Sequence, residues 1–365
     1  MGIIKKIAAL LVLAVILVVF YVQTPMFGKR PSGERLSRIE KSPNYVDGSF
    51  RNLEETSITL SCPLKTGFKF FFKNRKGQRP SVPLPTIKTD LKNLDRDENV
   101  LIWFGHSSYF IQLSGKRILV DPLFSEVSSP FPFFPRVFAG TNVYNAEDMP
   151  EIDCLIITHD HWDHLDYETV LKLKSKVKKI VCPLGVGSHF EYWGFDKNII
   201  VETDWDESVS IDKYLIVRCL PARHFSGRRF SRNKTLWASF LIETPTFKIY
   251  VGGDGGYGAH FAKIGEKFGP IDLVALDCGQ HNKNWPLIHM SIKEATKAAK
   301  DLRATALLPV HICKLCLANH PWNEPLEELS ELSKDASFEL LTPMIGEKVK
   351  LKTPFERFKK WWKNL

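Results

Sequence analysis

The sequence predicts an α/β protein in which two β-sheets are enclosed by helices. The chain has 365 residues, of which 44% are hydrophobic and 25% charged. This composition supports a large buried core and excludes disordered and collagen-like chains. Short runs of β-branched and aromatic residues, typical of strands, recur from about residue 99 to residue 345. The early runs follow one another closely, as hairpins do, whereas the later runs alternate with helical stretches.

The predicted elements follow from local composition and spacing. Helical stretches are expected at 167–177, 260–268 and 292–302, and the apolar residues of the last stretch lie on one helix face. The strands are expected, in chain order, at VLIWF, YFIQL, RILV, CLIIT, KKIVC, YLIVRCL, SFLIE, KIYVGG, LVALD and ALLPV.

The chain starts with a candidate membrane anchor. Residues 7–22, IAALLVLAVILVVFYV, are uncharged and apolar and follow two lysines. With residues 23–27, the segment approaches the ~20 residues that span a bilayer. A cleaved signal peptide is the competing interpretation, but the following VQTPMFGKR has no small-x-small cleavage site. We expect an uncleaved single-pass anchor at 1–27, and basic residues on both of its sides leave the membrane face open.

Three further regions follow the anchor. Residues 28–95 are rich in Arg, Lys, Pro and Ser and predict a basic linker or arm that lies on the main domain or on the membrane. Residues 96–348 form the predicted catalytic domain. Residues 349–365 contain PFERFKKWWKNL, which on a helix would place aromatic beside cationic side chains. Such a tail would lie either at a membrane interface or against the core.

The segment HDHWDH at 159–164 carries the predicted chemistry. His159 and His161 follow a strand and are two residues apart, so they converge on one cation from a loop and not from a helix face. Asp163 and His164 point to a second position. Further ligands are expected where single ligand-type residues follow other predicted strands, namely at His224, Asp254 and His311.

With these residues the chain resembles the metallo-β-lactamase superfamily. The pattern is an Asp after a strand in VDP, the HxHxDH motif, a later His, an Asp in a Gly-rich turn and a final His. Within the superfamily, the chain is similar to the N-acylphosphatidylethanolamine-hydrolysing phospholipases D and their bacterial relatives. The stretches that carry this similarity are WFGHSSYFIQLSGKRILVDPLFS, HDHWDHLDYETV, GGDGGYGAHFAKIGEKFGPIDLVAL, HMSIKEA and HICKLCLANHPWNEP.

The resemblance implies a metallo-β-lactamase αβ/βα sandwich of two mixed β-sheets flanked by helices, with two metal ions. By position, His159, His161 and His224 would hold the first metal, Asp163, His164 and His311 the second, and Asp254 both. Asp121 would orient a histidine ligand. His289 would lie near the substrate phosphate, and the residues assigned to catalysis are Asp163, Asp254 and His289. The loop after His311 and the segment GQHNKNWP depart from the usual pattern, which leaves the acyl or headgroup preference open.

The implied activity is that of a membrane-associated, zinc-dependent phosphodiester hydrolase of the phospholipase D type. It would release phosphatidic acid and N-acylethanolamine from N-acylphosphatidylethanolamine or a similar phospholipid. Two Zn²⁺ ions suit the ligands best, and iron and manganese also suit them. A hydrolase of a small soluble lactone or phosphodiester is the alternative, since the same ligands would serve it. A lipid-binding module that retains a metal is an alternative without catalysis.

The charge and the cysteines bear on the expected partners and compartment. The formal net charge is +9, and the basic residues cluster with apolar ones at the two ends, which favours an anionic membrane surface beside a phospholipid substrate. Nucleic acid is not expected, because no further domain for it is evident. A homodimer stays open. Cys313 and Cys316 form an isolated CxxC pair, for which coincidence, redox activity and a small disulfide are the alternatives.

Overall fold

The computed structural model describes residues 2–59, 77–229, 231–363 and 365. The helices in these residues are α1 (Gly2–Tyr21), α2 (Gly33–Ile39), α3 (Tyr167–Leu173), α4 (Gly187–Tyr192), α5 (His260–Phe268), α6 (Ile292–Asp301) and α7 (Glu324–Leu332). The strands are β1 (Tyr45–Val46), β2 (Ser49–Phe50), β3 (Val100–Trp103), β4 (Tyr109–Leu113), β5 (Lys116–Val120), β6 (Cys154–Ile156), β7 (Ile180–Pro183), β8 (Ile200–Thr203), β9 (Ser208–Ser210), β10 (Ile216–Leu220), β11 (Ser239–Glu243), β12 (Lys248–Val251), β13 (Ile271–Asp277), β14 (Ala304–Val310), β15 (Glu339–Leu340) and β16 (Lys348–Lys350).

Two seven-stranded sheets have the same mixed construction. The first sheet has the order β16-β3-β4-β5-β6-β7-β8 and the second the order β15-β14-β13-β12-β11-β10-β9. The first is antiparallel from β16 to β5 and parallel from β5 to β8. The second is antiparallel from β9 to β12 and parallel from β12 to β15. Because parallel strands end at the same edge of a sheet, the loops that follow them gather there.

The sheets face each other across a common apolar core. Trp103 and Ile118 of the first sheet and Phe240 and Leu308 of the second belong to this buried cluster. Side chains of α3 and α4 cover the outer face of the first sheet, and those of α5, α6 and α7 cover the outer face of the second. The predicted sandwich of two mixed sheets flanked by helices is therefore confirmed.

The helices form where the sequence predicts them, with small differences at their ends. The predicted 167–177 stretch is α-helical only to Leu173 and then tightens into a 3-10 turn at Lys174–Lys176. At the start of α6, Ser291 accepts a hydrogen bond from the Glu294 amide, and the Glu294 carboxylate accepts one from the Ser291 amide. This reciprocal cap satisfies two amide groups that a helix leaves unpaired at its N-terminus.

The segment between α1 and β3 lies against the sandwich in its described part. Ile39 of α2 and Phe50 of β2 are fully buried in the core between the sheets. Residues 60–76, which include FKFFFKNRK and Cys62 of the predicted arm, lie outside the described residues. The α1 helix has 20 residues, none of them buried, and it is long and apolar enough to cross a membrane. A signal sequence would share those properties.

The C-terminal tail docks on the core. Strand β16 pairs with β3 and extends the first sheet, and the residues that follow it are not helical in the described part of the tail. Phe355 and Trp362 enter the core between the sheets, and the Trp361 Nε1–H donates to the Thr342 carbonyl at 3.1 Å. Of the two arrangements considered for this tail, these aromatic residues adopt the docked one.

The docking of Trp362 predicts a large contribution to stability. Its side chain is 1% exposed, and replacing a buried Trp with Ala costs about 3–5 kcal/mol through lost burial and the cavity that remains. We expect Trp362→Ala to lower the free energy of unfolding by that amount in a denaturant titration of the detergent-solubilised protein. The control Tyr214→Ala, at a side chain that is 54% exposed, should change it by less than about 0.5 kcal/mol. Equal effects of the two substitutions would contradict the docked tail.

Candidate metal centre

The candidate site lies at the edge where the parallel strands of both sheets end. Each of its side chains stands on a turn or loop that follows a strand, or on the last residue of a strand. These positions are Asp121 after β5, His159 to His164 after β6, His224 after β10, Asp254 after β12, Asp277 at the end of β13 and His311 after β14. The two sheets thus bring together residues that are almost 200 positions apart in the chain.

Three histidines and one carboxylate form a first cluster. The ligand atoms of His159, His161, His224 and Asp254 all lie within 4.8 Å of one another. The His161 Nδ1 is 2.9 Å from the His159 Nε2 and 3.3 Å from the His224 Nε2. The His224 Nδ1–H donates to the Ile288 carbonyl at 3.0 Å, which turns the Nε2 of His224 inward. Anchoring of the outer ring nitrogen in this way is common for histidines that bind metals.

A second cluster adjoins the first. It contains Asp163, His164, His311 and His106, again with ligand atoms within 4.8 Å of one another. The Asp163 Oδ2 is 3.6 Å from the His164 Nε2. The structure thus brings all seven predicted ligand residues together. Three histidines lie with Asp254 in the first cluster, and Asp163, His164 and His311 lie in the second, which is the division that the family pattern implies. His106 is the member of these two clusters that was not expected.

The Asp254 carboxylate lies between the two clusters. Its Oδ2 is 3.9 Å from the His159 Nε2 and 3.8 Å from the His224 Nε2. Its Oδ1 is 3.1 Å from the His164 Nε2 and from the nearer ring nitrogen of His311. One carboxylate therefore presents a separate oxygen to each cluster, which is the arrangement that a bridging ligand needs.

Asp121 orients His164. It accepts hydrogen bonds from the Thr158 amide at 2.8 Å and from the Thr158 hydroxyl at 2.6 Å. Its Oδ2 also accepts a hydrogen bond from the His164 Nδ1 at 2.8 Å. Because Nδ1 is held in this way, the Nε2 of His164 faces the cluster. Asp121 itself lies on the far side of the imidazole from the cluster.

His106 was not singled out from the sequence. It is fully buried on the turn after β3, its Nε2 is 2.8 Å from the Asp163 Oδ2, and its ring packs on His311 with centroids 4.1 Å apart. The backbones of His106 and His311 are joined by a hydrogen bond of 3.0 Å from the His311 amide to the His106 carbonyl. The signal in the sequence was a single His directly after the predicted strand VLIWF, the same kind of position that identified His311.

His289 and Asp277 form a pair beside both clusters. The His289 Nδ1 is 2.7 Å from the Asp277 Oδ2, and the His289 ring stacks on His311 with centroids 5.1 Å apart and planes at 11°. Burial raises the pKa of Asp277 to about 6, against the lowering effect of His289. Burial also lowers the pKa of His289, but Asp277 outweighs it and raises that pKa. Asp277 was missed in the sequence, where it ends the predicted strand LVALD.

The electrostatics favour the ligand forms of His159, His224 and Asp254. Burial, together with the neighbouring histidines, holds the pKa values of His159 and His224 well below their usual range, so both imidazoles are neutral near pH 7. Burial acts to raise the pKa of Asp254, but His164 and His311 hold it well below its usual range. Neutral imidazoles and an ionised carboxylate are the forms that bind a cation. Burial acts to lower the pKa of His164, in contrast, but Asp254, Asp163 and Asp121 outweigh burial and raise that pKa well above its usual range.

The chemistry of this donor set fits divalent metal. Several buried ring nitrogens and one carboxylate oxygen at the site have no hydrogen-bond partner in the described residues, namely His106 Nδ1, His164 Nε2, His311 Nε2 and Asp254 Oδ1. A buried polar atom without a partner costs about 1–3 kcal/mol. Cations between the clusters would satisfy the His164 Nε2 and the Asp254 Oδ1, which lie 3.1 Å apart without the alignment of a hydrogen bond. Histidine and carboxylate donors suit zinc, iron and manganese.

A cavity of about 320 Å³ opens on the site. Its polar wall consists of site residues, among them His161, Asp163, Asp254, His289 and His311. The remaining wall is mostly apolar, with Thr59, Arg232 and Gln280 as polar members, and its apolar side chains are Ile58, Phe225, Trp285, Ile288 and Leu317. The cavity therefore offers an apolar surface directly beside the candidate ligands.

The CxxC pair does not join this site. Cys313 is a buried free thiol, so the small disulfide within the pair is not formed, and the Cys316 thiol donates to the Ala318 carbonyl at 3.5 Å. Burial raises the pKa of the Cys313 thiol far above its usual range. A buried thiol with a raised pKa is a poor nucleophile and a poor metal ligand.

Comparisons with known proteins agree with this geometry. Residues 116–312 match the family model of the β-lactamase superfamily domain, which is more than half of the chain. A protein of Mycobacterium tuberculosis is 38% identical over 330 residues, 89% of this chain and 88% of that protein. N-acyl-phosphatidylethanolamine-hydrolyzing phospholipase D 1 of Caenorhabditis elegans is 31% identical over 261 residues, 65% of this chain and 72% of that enzyme.

A solved structure adds the same fold. CmlA, a diiron β-hydroxylase from Streptomyces venezuelae, superposes with a TM-score of 0.54 at 20% identity, over 69% of this chain and 54% of that one. At this identity the likeness concerns the fold alone. Because the family model spans more than half of the chain and relatives extend over most of it, the chain belongs to the β-lactamase superfamily, as a metal-dependent hydrolase.

Proposed function

We propose that this protein is a membrane-anchored phosphodiesterase that cleaves N-acylphosphatidylethanolamine or a similar phospholipid to phosphatidic acid and N-acylethanolamine. The observation that carries the proposal is the Asp254 carboxylate between two ligand clusters, beside a cavity with an apolar wall. Two cations held by adjoining clusters that share one carboxylate would suit displacement at phosphorus. An apolar wall suits a lipid. The C. elegans relative, which bears the name of this activity, supports the choice of substrate.

The proposed ligands divide between two metals. His159, His161 and His224 would hold one, Asp163, His164 and His311 would hold the other, and Asp254 offers an oxygen to each cluster. Zinc is our proposal for both positions, and iron is the first alternative because the structural neighbour CmlA is a diiron protein. When bound, a pair of divalent cations makes hydroxide available near neutral pH and offsets charge on the phosphoryl oxygens.

The residues of the chain position the substrate and handle the proton. Asp277 holds the Nδ1 of His289, which leaves the Nε2 of His289 to meet a phosphodiester in the cavity. In the proposed step, hydroxide adds to phosphorus, the bond from phosphorus to the ethanolamine oxygen breaks, and the leaving oxygen takes the Nε2 proton of the His289 imidazolium to give N-acylethanolamine. The His289 Nε2–H donates to the oxygens that gain charge. His106 holds the carboxylate of Asp163 by a hydrogen bond and is thus a positioning residue.

The apolar wall binds an acyl chain in this proposal. Ile58, Phe225, Trp285 and Leu317 line the cavity together with the candidate ligands, and a lipid tail would remove their apolar surface from water. Arg232, which also lines the cavity, packs on Phe225 with its guanidinium 5.5 Å from the ring centroid. It places a positive charge where an anionic phospholipid would enter.

The association with membranes is also part of the proposal. An uncleaved α1 anchors the enzyme, because this mostly apolar helix of 20 residues is long enough to span a bilayer core. An anionic surface as partner stays a prediction from the sequence, and the side of the membrane and a homodimer stay open.

The bridging position of Asp254 predicts a loss of metal. Asp254→Asn removes the charge that both clusters face, so we expect the metal bound per chain to fall and turnover to fall by at least about 10³-fold. Elemental analysis and phosphodiester hydrolysis measure the two effects on the same sample. The control is Asp335→Asn, at an exposed aspartate of the loop after α7. Full metal content and full hydrolysis in Asp254→Asn would overturn the bridging role, whereas bound metal without hydrolysis in the original protein would leave the lipid-binding interpretation.

His289 should act in catalysis without holding metal in place. We expect His289→Ala to lower kcat by about 10²–10⁴-fold, the usual range for a group that donates a proton or hydrogen bond in the transition state. The metal content should stay that of the original protein. Asp277→Asn should give a smaller loss and a changed pH profile of kcat, because His289 would lose its charged partner. Loss of metal in His289→Ala would instead make His289 a ligand.

The substrate class can be decided with the full chain in detergent or vesicles. We expect phosphatidic acid and N-acylethanolamine, identified by mass spectrometry, from vesicles that contain N-acylphosphatidylethanolamine. Removal of metal with a chelator should abolish the reaction, and reloading with zinc, iron or manganese separately shows which metal restores it. Turnover of soluble phosphodiesters or lactones alone, with none of the phospholipid, would overturn the proposed substrate in favour of the soluble alternative.

A further inference from the structure

The segment after α1 is fastened to the catalytic domain by hydrogen bonds that side chains of the domain donate to the backbone carbonyls of the segment. The Arg228 Nε–H donates to the Met26 carbonyl at 2.8 Å, and the Arg229 Nη2–H donates to the Gly28 carbonyl at 2.6 Å. The Trp193 Nε1–H donates to the Pro25 carbonyl at 2.7 Å. The end of the helix is therefore attached directly to the domain.

The same segment packs on the loop that bears the HxHxDH motif. Phe27 is buried and meets the Trp162 ring edge to face, with centroids 5.1 Å apart. The buried Arg228 also packs on Trp162, with its guanidinium carbon 4.0 Å from the ring centroid. The Arg228 Nη1–H donates to the Leu165 carbonyl at 2.6 Å. Because this packing is specific, the domain has one orientation relative to α1. If α1 spans a bilayer, the surface around its end at Tyr21 faces that bilayer.

A proline-rich loop with two exposed phenylalanines lies on this surface. The loop is residues 128–135, SSPFPFFP, and its Pro130 carbonyl accepts a hydrogen bond from the Tyr21 hydroxyl. Phe131 is 55% exposed and Phe133 is 71% exposed. Large apolar side chains at a loop tip are unfavourable in water and favourable at the boundary between headgroups and acyl chains.

The loop is ordered rather than collapsed onto the core. The Ser128 amide donates to the Pro135 carbonyl at 3.2 Å, and the Ser129 hydroxyl accepts a hydrogen bond from the Phe131 amide at 3.0 Å. An isolated bridge between Val127 and Arg136 closes its base. The local structure therefore holds both phenyl rings outward, next to the end of the proposed anchor.

Positive charge lies beside the same segment. A depression of about 660 Å³ is lined by Lys29, Arg30 and Lys197, which form no ion pair with a carboxylate in the described residues. Arg35 and Arg38 also line it but pair with acidic side chains, and the carboxylates in its wall are Glu34, Glu191 and Glu202. Cations without a carboxylate partner and exposed aromatic rings, both attached to the end of α1 and the segment after it, are the combination that anionic lipid surfaces attract.

We infer that loop 128–135 inserts Phe131 and Phe133 into the same bilayer that α1 spans, with Lys29, Arg30 and Lys197 against its anionic headgroups. This inference rests on the proposed anchor and names a second contact with the membrane that holds the HxHxDH loop at the lipid surface. The continuity of the loop with the end of α1 favours a bilayer as the occupant over a second protein.

Photo-crosslinking of the full chain tests this contact without reference to activity. The photoreactive amino acid p-benzoylphenylalanine replaces one residue at a time, in vesicles of equal parts phosphatidylcholine and phosphatidylglycerol. We expect lipid adducts by mass spectrometry from position 133, and from position 13 within α1 as the positive control. We expect none from position 214, because Tyr214 is 54% exposed but lies before β10, at the opposite end of that strand from His224.

The outcomes separate the inference from the anchor on which it rests. Adducts from position 13 with none from position 133 overturn the inference and leave the anchor. Adducts from neither position overturn both. A crosslink from position 133 to a second protein chain replaces the bilayer by a protein partner and also overturns the inference.

A matched pair of variants tests the consequence for catalysis. We expect the double substitution Phe131→Ser and Phe133→Ser to lower the ratio of turnover on phospholipid vesicles to turnover on a soluble phosphodiester by about tenfold, through weaker seating on the bilayer. Tyr214→Ser should leave this ratio unchanged. An unchanged ratio in the double variant would overturn the role of the loop in presenting the site to lipid, whatever the identity of the phospholipid.

Discussion

The buried carboxylate of Asp254 faces two groups of histidines, and the rest of the site is arranged around this contact. One oxygen is directed to His159 and His224, the other to His164 and His311. Removal of such a charge from water is unfavourable unless cations or cationic groups face it. Divalent metal bound between the clusters would meet that requirement.

The supporting residues follow from the same constraint. Asp121 and Asp277 each hold the outer nitrogen of one histidine, and His106 holds Asp163. The outer side of the HxHxDH loop is supported in turn by Arg228, which remains buried among Trp162 and backbone carbonyls. Burial lowers the pKa of Arg228 to about 10, so its charge is retained near pH 7. Residues 25–28, which follow α1, accept hydrogen bonds from Trp193, Arg228 and Arg229. The candidate metal centre and the end of the proposed anchor are therefore connected through the packing around the HxHxDH loop.

Parts of this arrangement could be predicted and others could not. The HDHWDH motif is compact in the chain, so its spacing alone indicates convergence on metal. His106 and Asp277 are single residues after strands, without a local pattern, and their roles depend on loops that meet in space. The tail aromatics allowed two interpretations, because composition does not reveal whether Trp362 packs inward. Phe131 and Phe133 belong to an apolar run that resembles core, and only the fold shows them exposed.

The sequence by itself determined the fold class, the apolar N-terminal helix and the set of candidate ligands, because these depend on periodicity, composition and short spacings along the chain. The tertiary structure decided which of these residues meet. It placed Asp254 between the clusters, docked the tail on the core and fastened residues 25–28 to the HxHxDH loop. Such contacts join residues up to about two hundred positions apart, and they form because two sheets must bury their apolar faces against each other.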